Sequence, residues 1–332
     1  MTKHRGDPEM SSKKTILFLV GPTAVGKTEH GIRLAQRLNT EIVSADSMQI
    51  YQYMDIGTGK PTLKDRSLVR HHLVDFVHPT EAYSVGRYKK DADAVIQTLH
   101  HAGKIPLVIG GAGLYIRALT DGLFEGPEAD ADLRKRFKDL ALKEGSNALY
   151  GRLKGVDPES ANRIHPNDER RLIRALEVFE ITGQPISVLQ KEEKEIREEE
   201  YRIIMIGLTT SRNRLYLNIE NRVDRMIAMG LVNEVKNLLK MGVPMDSVSM
   251  QGLGYKEILP YLKKQITLNQ SVEILKQETR HFAKHQMTWF KAEPRIQWLD
   301  IGTSGSLENS LEILIHLVQK NLNDLVLLPS SG

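Results

Sequence analysis

The sequence predicts an α/β fold in which a parallel β-sheet core, flanked by helices, carries a mainly helical insertion. Short apolar runs alternate with helical patterns over the first part of the 332-residue chain and return near residue 201. Such alternation is typical of βαβ units with a parallel sheet. Between residues 121 and 200 only helical patterns are found. We therefore expect a first core part (1–120), a helical insertion domain (121–200) and a second, mainly helical core part (201–332).

The predicted strands are short apolar runs bounded by glycine, charged or other polar residues. In chain order they are Thr15–Val20, Glu41–Ala45, Ile105–Ile109 and Tyr201–Leu208. Helical periodicity follows the first strand as far as Leu38, covers Tyr88–His101, and dominates from Ser211 to Trp289. The charge run Lys191–Glu200 indicates a solvated helix or linker before the chain returns to the sheet.

Composition excludes several classes of protein. The chain has 46 Lys and Arg against 42 Asp and Glu, a net charge of +4, and no cysteine. Disulfides, thiolate zinc sites, iron–sulfur clusters and cysteine nucleophiles are therefore excluded. No apolar run approaches the ~20 residues of a membrane helix, and the first ten residues lack the apolar core of a signal peptide. We expect a cytoplasmic protein with no membrane partner.

The first strand runs into a phosphate-binding loop. The sequence GPTAVGKT matches G-x-x-x-x-G-K-[ST] and lies between a predicted strand and a predicted helix, as that motif requires. Its backbone N–H groups converge on phosphate oxygens, while Lys27 supplies a positive charge and the Thr28 hydroxyl a ligand for Mg²⁺. The motif therefore predicts a P-loop NTPase-like core. The residues that would hold a diphosphate or triphosphate are Gly21, Pro22, Thr23, Ala24, Val25, Gly26, Lys27 and Thr28.

The position of the carboxylate Asp46 favours a group transferase. A P-loop ATPase or GTPase holds its metal with a carboxylate at the end of an apolar strand, but Ile105–Ile109 runs into two glycines. Asp46 instead follows the second strand. In kinase-like P-loop folds, the residue at that position faces the acceptor substrate. There it can take a proton from an attacking nucleophile. A simple capping role for Asp46 is the alternative.

Eight ordered blocks of sequence resemble the tRNA dimethylallyltransferase (tRNA isopentenyltransferase) family, and the resemblance extends from Ile16 to Trp298. The chain is similar to the bacterial form, which has no zinc finger. The blocks are GPTAVGKT (Gly21–Thr28), SADSMQIY (Ser44–Tyr51), MDIGTGKP (Met54–Pro61), HHLVD (His71–Asp75), IPLVIGGAGLYI (Ile105–Ile116), HPNDERRLIRALEV (His165–Val178), GLGYKE (Gly252–Glu257) and TRHFAKHQMTWF (Thr279–Phe290).

The resemblance implies a reaction and a set of catalytic residues. The family transfers a dimethylallyl group from dimethylallyl diphosphate to N6 of the adenosine 3′ of the anticodon, position 37, using Mg²⁺ and releasing diphosphate. Asp46 matches the family's catalytic aspartate, Thr28 its magnesium ligand, and Arg222 an arginine that reaches the diphosphate. On sequence alone, a surface salt bridge is the more ordinary role for Arg222, which lies in a helix rich in Arg and Asp.

The resemblance also implies a tRNA-binding surface. Residues 131–175 carry eleven basic and seven acidic side chains, an excess equal to the charge of the whole protein. At two positions the chain departs from the family: Ala112 stands where threonine is usual, and His285 where arginine is usual. The residues expected to contact the anticodon stem-loop are Asp46, Ser47, Met48, Gln49, Ala112, Arg134, Arg170, Arg171, Leu172, Ile173, Arg174, Gln251, Gly252, Leu253, Gly254, Tyr255, Lys256, Arg280, Lys284 and Gln286.

Three other functions use some of the same features. Prenylation of free adenine nucleotides needs the loop and Asp46 but no basic insertion, a P-loop kinase would turn over ATP, and a non-catalytic RNA-binding protein would leave the loop unused. We expect a monomer, and structural hydrogen bonds rather than a metal at His71 and His72.

Overall fold

A computed structural model describes residues 13–124, 126–127 and 129–323. The described residues divide into two compact units. The first contains the chain up to Ile116 and again from Tyr201, and the second is Arg117–Glu200. None of the helices in this part of the chain is both long enough and apolar enough to cross a membrane.

The first unit is built on a six-stranded sheet in which every neighbouring pair is parallel. The strand order is β3-β2-β4-β1-β5-β6, which confirms the predicted fold class. The strands are β1 (Lys14–Val20), β2 (Ile42–Ala45), β3 (His71–His72), β4 (Leu107–Gly110), β5 (Tyr201–Thr209) and β6 (Ile296–Asp300).

Two of these strands, β3 and β6, were not predicted. β3 has two residues, and only the first and fourth positions of β6 (IQWLD) are buried. Neither segment therefore carries an apolar run or a strict alternation. The histidines of β3 make the structural hydrogen bonds expected of them, His71 Nδ1 with the carbonyl of Val69 (2.8 Å) and His72 Nε2 with Glu41 (2.7 Å).

Helices connect the strands, and they are the only regular elements in the described part of the second unit. They are α1 (Lys27–Arg37), α2 (Leu63–Leu68), α3 (Val85–His101), α4 (Gly113–Thr120), α5 (Ala131–Glu144), α6 (Ser146–Val156), α7 (Pro158–Arg163), α8 (Glu169–Thr182), α9 (Ile186–Glu200), α10 (Arg212–Ala228), α11 (Leu231–Lys240), α12 (Tyr255–Leu262), α13 (Leu268–Lys291) and α14 (Leu307–Asn323).

The register of the sheet brings four chain segments to one edge. Val20, the last residue of β1, pairs with Gly110 of β4 and Gly207 of β5, and Gly110 also pairs with Ala45 of β2. Because all strands point the same way, the segments that follow them meet at the carboxyl edge, where ligands bind in open α/β sheets. The phosphate loop follows β1 and Asp46 follows β2 at this edge.

The second unit has its own apolar core between α5, α6 and α8. Phe137, Leu149 and Leu153 pack there together with Leu172 and Ile173. Leu172 is 0% exposed and Ile173 is 6% exposed. Their assignment to the tRNA surface therefore needs correction, since the helical period turns these two residues inward while Arg170 and Arg171 remain exposed.

A buried carboxylate ties two arginines to this core. Glu177 is 0% exposed and accepts hydrogen bonds from Arg134 Nε (2.8 Å), Arg174 Nη1 (2.6 Å) and the N–H of Asp130 (2.9 Å). Burial alone would raise the pKa of Glu177, but these hydrogen bonds outweigh it and lower the pKa. Arg134 and Arg174, both predicted to contact tRNA, are partly exposed while they pair with this carboxylate.

The charge run lies on α9, which is largely exposed, as predicted. Arg197 is the exception at 5% exposure, and its Nε donates to the carbonyl of Leu119 at 2.7 Å.

The Glu177 cluster makes the stability of the second unit depend on pH. At neutral pH we expect Glu177→Gln to lower the free energy of unfolding of the second unit by about 3 kcal/mol, because two guanidinium groups lose their buried carboxylate partner. Glu177 contributes this stability above its unfolded pKa, near 4.5, and loses it as pH falls through the lowered folded pKa. Wild type and variant should therefore converge in acid.

Hydrogen exchange of the α5 and α8 amides in the full chain, followed across this pH range, measures the effect. Glu180→Gln, an exposed change on the same helix, is the matched control. Equal stability of the two variants at neutral pH would contradict the role of Glu177.

Candidate active site

The phosphate loop adopts a backbone that its glycines permit. Gly21 has φ +145° and Gly26 φ +100°, and Ala24 between them has φ +62°. A Cβ on Gly21 would lie 2.6 Å from the carbonyl oxygen of Leu208 on β5, so only glycine fits against that strand. The loop leads directly into α1, whose N-terminus gives the loop its positive potential.

Lys27 is held inside the loop. Its Nζ donates to the carbonyl oxygens of Gly21 (2.8 Å) and Pro22 (2.7 Å). Burial, and next the positive charge of Arg222, lower the pKa of Lys27 to about 7, while the negative charge of Asp46 opposes the shift. The three side chains are thus close enough to interact electrostatically at the end of the loop.

Gln286 on α13 anchors the loop from the other side. Its Oε1 accepts the N–H of Thr23 at 2.8 Å, and its Nε2 donates to the carbonyl of Gly111 at 3.0 Å. Gln286 was assigned to the tRNA surface, but it is only 8% exposed and both ends of its amide bond to the protein. The partners lie 263 and 175 residues away in sequence, so no local pattern indicated this contact.

Asp46 is oriented by its own turn. Its Oδ1 accepts the N–H groups of Met48 (2.8 Å) and Gln49 (3.2 Å). The capping interpretation is therefore correct for one oxygen. The other carboxylate oxygen, Oδ2, is left to contact an acceptor substrate. The positive charges of Lys27 and Arg222 act on this carboxylate.

Arg222 lies on α10, and a surface salt bridge is not its role. Its Nη2 donates to the carbonyl of Thr58 at 3.3 Å. A Cβ on Gly59 would lie 2.0 Å from the same Nη2, so the glycine allows the guanidinium to lie against the chain. Burial lowers the pKa of Arg222, and Asp46 opposes the shift.

Two further predicted segments meet beside Asp46. A Cβ on Gly252 would lie 2.8 Å from Sδ of Met48, so the residues around Gly252 pack against the Asp46 turn. The Nε2 of Gln49 donates to the carbonyl of Gly59 at 3.3 Å. Ser47 is partly buried in the same turn.

The other residues expected to contact tRNA divide into exposed and buried groups. Gln251, Lys256 and Lys284 are exposed, whereas Gly254 and Tyr255 are buried and Leu253 is partly buried. The N–H of Ala112 donates to the carbonyl of Ala45 at 3.1 Å. Arg280 pairs with Glu220 at 3.0 Å.

The residues at the loop fit a magnesium ion that is carried largely by phosphate oxygens. Thr28, in the first turn of α1, is exposed beside Lys27, so its hydroxyl is accessible to a ligand. Mg²⁺ characteristically combines few protein ligands with substrate phosphates and water. One hydroxyl at a phosphate loop is such a protein contribution.

The chain is similar to proteins of one family over most of its length. The IPP transferase family model matches residues 49–293, and an isopentenyl transferase model matches residues 14–76. The chain belongs to the IPP transferase family. Among similar proteins, the tRNA dimethylallyltransferase of Carboxydothermus hydrogenoformans is 47% identical over 92% of this chain and 97% of its own. That of Caldanaerobacter subterraneus subsp. tengcongensis is 50% identical over 85% and 90%.

Solved structures agree with this assignment. The tRNA isopentenylpyrophosphate transferase of Bacillus halodurans has a TM-score of 0.71 at 38% identity, over 94% of this chain and 98% of its own. A eukaryotic dimethylallyltransferase acting on tRNA has a TM-score of 0.81 at 28% identity, over 94% and 80%. The sequence resemblance to this family is confirmed.

The contact of Gly59 with Arg222 can be tested by a matched pair of glycine substitutions. Gly59 has φ +58° and Gly103 has φ +68°, so alanine at either position costs about 1 kcal/mol of backbone strain. Only Gly59→Ala also displaces Arg222, because a Cβ at Gly103 has no atom within 4 Å. We expect Gly59→Ala to weaken binding of inorganic diphosphate with Mg²⁺ about 10-fold or more, as measured by calorimetry. Equal diphosphate affinity of the two variants would disprove the contact's importance.

The anchoring of the loop by Gln286 gives a second prediction. Gln286→Leu keeps the size of the side chain but removes both hydrogen bonds, so the loop loses preorganisation. We expect diphosphate affinity to fall about 10-fold with a smaller change in thermal stability. Gln277→Leu, an exposed position on the same helix, serves as the control, and similar losses in both variants would rule out the anchoring role.

Proposed function

We propose that this protein transfers a dimethylallyl group from dimethylallyl diphosphate to N6 of adenosine 37 of tRNA, giving N6-(dimethylallyl)adenosine and diphosphate. One observation carries the proposal: two basic side chains, Lys27 and Arg222, both interact electrostatically with one carboxylate, Asp46, beside a phosphate loop. An anionic leaving group and a nucleophile that loses a proton need this combination. The names of the relatives support the same chemistry.

The donor's diphosphate would lie on the loop residues Gly21–Thr28. Their N–H groups and the ammonium of Lys27 stabilise the negative charge that grows on the leaving group, and Arg222 approaches it from α10. Mg²⁺ would be held by the Thr28 hydroxyl and the diphosphate oxygens, and when bound it supplies further positive charge to the leaving group.

The transfer replaces one bond at the allylic carbon by another. N6 of adenosine forms a bond to C1 of the dimethylallyl group while the bond from C1 to the diphosphate oxygen breaks, and its electron pair leaves with diphosphate. The proton lost by N6 goes to Oδ2 of Asp46, because Oδ1 is already bound to the N–H groups of Met48 and Gln49. Since the amine is a weak nucleophile, its alignment with C1 matters as much as the proton transfer.

The acceptor adenosine must leave its stack in the anticodon loop, at a cost of a few kcal/mol. Gln49, next to Asp46 and oriented by the carbonyl of Gly59, is suited to hydrogen-bond the edge of that base. Exposed basic residues such as Arg170, Arg171, Lys256 and Lys284 are suited to the phosphates of the stem-loop. The proposal includes a cytoplasmic enzyme that acts as a monomer.

The deciding experiment offers labelled dimethylallyl diphosphate and Mg²⁺ to unmodified tRNA and, separately, to AMP. We expect labelled tRNA, with N6-(dimethylallyl)adenosine found by mass spectrometry of its nucleosides. Labelling of AMP alone would indicate a nucleotide prenyltransferase, and ATP turnover without prenyl transfer would indicate a kinase. Either result would overturn the proposal.

Asp46 gives a sharper test of the chemical step. We expect Asp46→Asn to lower kcat for tRNA labelling by on the order of 10²–10⁴-fold, the range of general base catalysis. Diphosphate binding should be unchanged or tighter, because a negative charge beside the anion site is removed. Asp224→Asn, which breaks a surface pair with Lys276, is the control. If Asp46→Asn weakened diphosphate binding, its loss of activity would reflect altered structure.

A further inference from the structure

One carboxylate outside the reacting groups has an unusual number of partners. Glu234 lies in the first turn of α11. Its Oε2 accepts the N–H groups of Asp55 (3.0 Å) and Ile56 (2.8 Å), and its Oε1 accepts that of Gly57 (3.0 Å). Oε1 also accepts the hydroxyl of Tyr255 at 2.7 Å. Three consecutive amides and a phenol thus point at one carboxylate from α11.

The amides belong to a loop that touches two residues of the site. In the segment 54–60, which we call the MDIGTGK loop, the carbonyl of Thr58 accepts Nη2 of Arg222 and the carbonyl of Gly59 accepts Nε2 of Gln49. Gly59 also lies against the guanidinium of Arg222. The path of this loop therefore determines where both side chains point.

The far end of the loop is fixed independently. Nζ of Lys60 donates to the carbonyl of Tyr51 (2.7 Å) and to Asp75 (2.8 Å), and it lies 2.6 Å from Oδ1 of Asp55. The Lys60 side chain is 2% exposed. Thr58 and Gly59 thus lie between two fastened points, Glu234 on one side and Lys60 on the other.

We propose that Glu234 is a positioning residue for this reaction. Its carboxylate sets the course of the MDIGTGK loop so that the carbonyls of Thr58 and Gly59 hold Arg222 toward the donor diphosphate and Gln49 beside Asp46. Glu234 touches neither substrate and acts through the backbone. The inference rests on the proposed function for the identity of the donor.

A charged group is needed at this position. A carboxylate offers only acceptors to its four donors, whereas the amide of glutamine would turn an NH₂ group toward at least one of them. Hydrogen bonds to a charged acceptor are about twice as strong as neutral ones. Tyr255 remains a donor, because burial and next the charge of Glu234 raise its pKa well above the usual range.

The loop is also shaped for close contact with Tyr255. A Cβ on Gly57 would lie 2.5 Å from the ring of Tyr255, so the absence of a side chain there lets the ring pack under the loop. Tyr255, which the family resemblance assigned to the tRNA surface, thereby supports the loop from beneath. It belongs to the same device as Glu234.

A double-mutant cycle between Glu234 and Arg222 tests the proposal. Glu234→Gln should lower kcat for tRNA labelling about 30- to 100-fold, because a displacement of a site group by about 1 Å costs a rate factor of this size. In an Arg222→Ala background the same change should cost less than about 3-fold, because coupled residues are not additive. Glu312→Gln, which breaks an exposed pair with Arg37, is the control for loss of a charge.

Two additional measurements keep the test decisive. Tyr255→Phe removes one of the four hydrogen bonds and should lower kcat about 3- to 10-fold, so it serves if Glu234→Gln folds poorly. The affinity for inorganic diphosphate with Mg²⁺ should show the same coupling to Arg222. That binding measurement tests Glu234 even if wild type fails to label tRNA, a failure that would count against the proposed function alone.

The proposal is overturned by either of two results. One is an equal loss from Glu234→Gln with and without Arg222, in kcat and in diphosphate affinity, since a merely structural carboxylate would destabilise both backgrounds alike. The other is activity and diphosphate affinity of Glu234→Gln that match those of Glu312→Gln.

Discussion

The site of the first unit depends on placing two basic side chains, Lys27 and Arg222, close enough to interact electrostatically beside the phosphate loop. Burial lowers the pKa of both side chains, and the charge of Arg222 lowers the pKa of Lys27 further, while the charge of Asp46 opposes both shifts. Their hydrogen-bond partners are backbone carbonyls, those of Gly21, Pro22 and Thr58. Carbonyl dipoles satisfy the donors without cancelling the charge, so the positive potential remains available to a diphosphate.

Because the partners are backbone carbonyls, other side chains are needed to fix the two loops that carry them. A carbonyl can orient a cation only if its own peptide is fixed, and each of these peptides lies in a loop rather than in a strand or helix. Gln286 fixes the phosphate loop through Thr23 and Gly111. Glu234 fixes the MDIGTGK loop through three amides. Gln286 and Glu234 therefore hold the backbone of the two loops from positions away from the two cations. At that distance the carboxylate of Glu234 does not compete with the substrate for them.

The sequence predicted the features that depend on neighbouring residues, and it missed those that depend on distant ones. Four strands and the phosphate loop appear where short-range patterns indicate them, whereas β6 joins the sheet at Met205–Thr209 with few apolar positions of its own. Gln286 and Glu234 meet partners more than 170 residues away. Leu172 and Ile173 were expected on the surface because the family resemblance assigns the whole stretch Arg170–Arg174 to tRNA contact, although a helix turns consecutive residues through about 100°.

The basic residues of the second unit also fall into two groups, those paired with an internal carboxylate and those that are exposed. Arg134 and Arg174 are bound to the buried Glu177, so two of the positive charges that first indicated a nucleic-acid partner balance an internal carboxylate. Exposed residues such as Lys135, Arg136, Lys138 and Arg170 carry the positive charge that we propose for contact with phosphates. Attraction by exposed charges is screened over about 8 Å at physiological salt, whereas pairs with a buried carboxylate such as Glu177 are screened much less. Salt should therefore weaken the phosphate binding that we propose for the exposed residues more than it loosens the fold, and a count of charges along the sequence cannot separate these two roles.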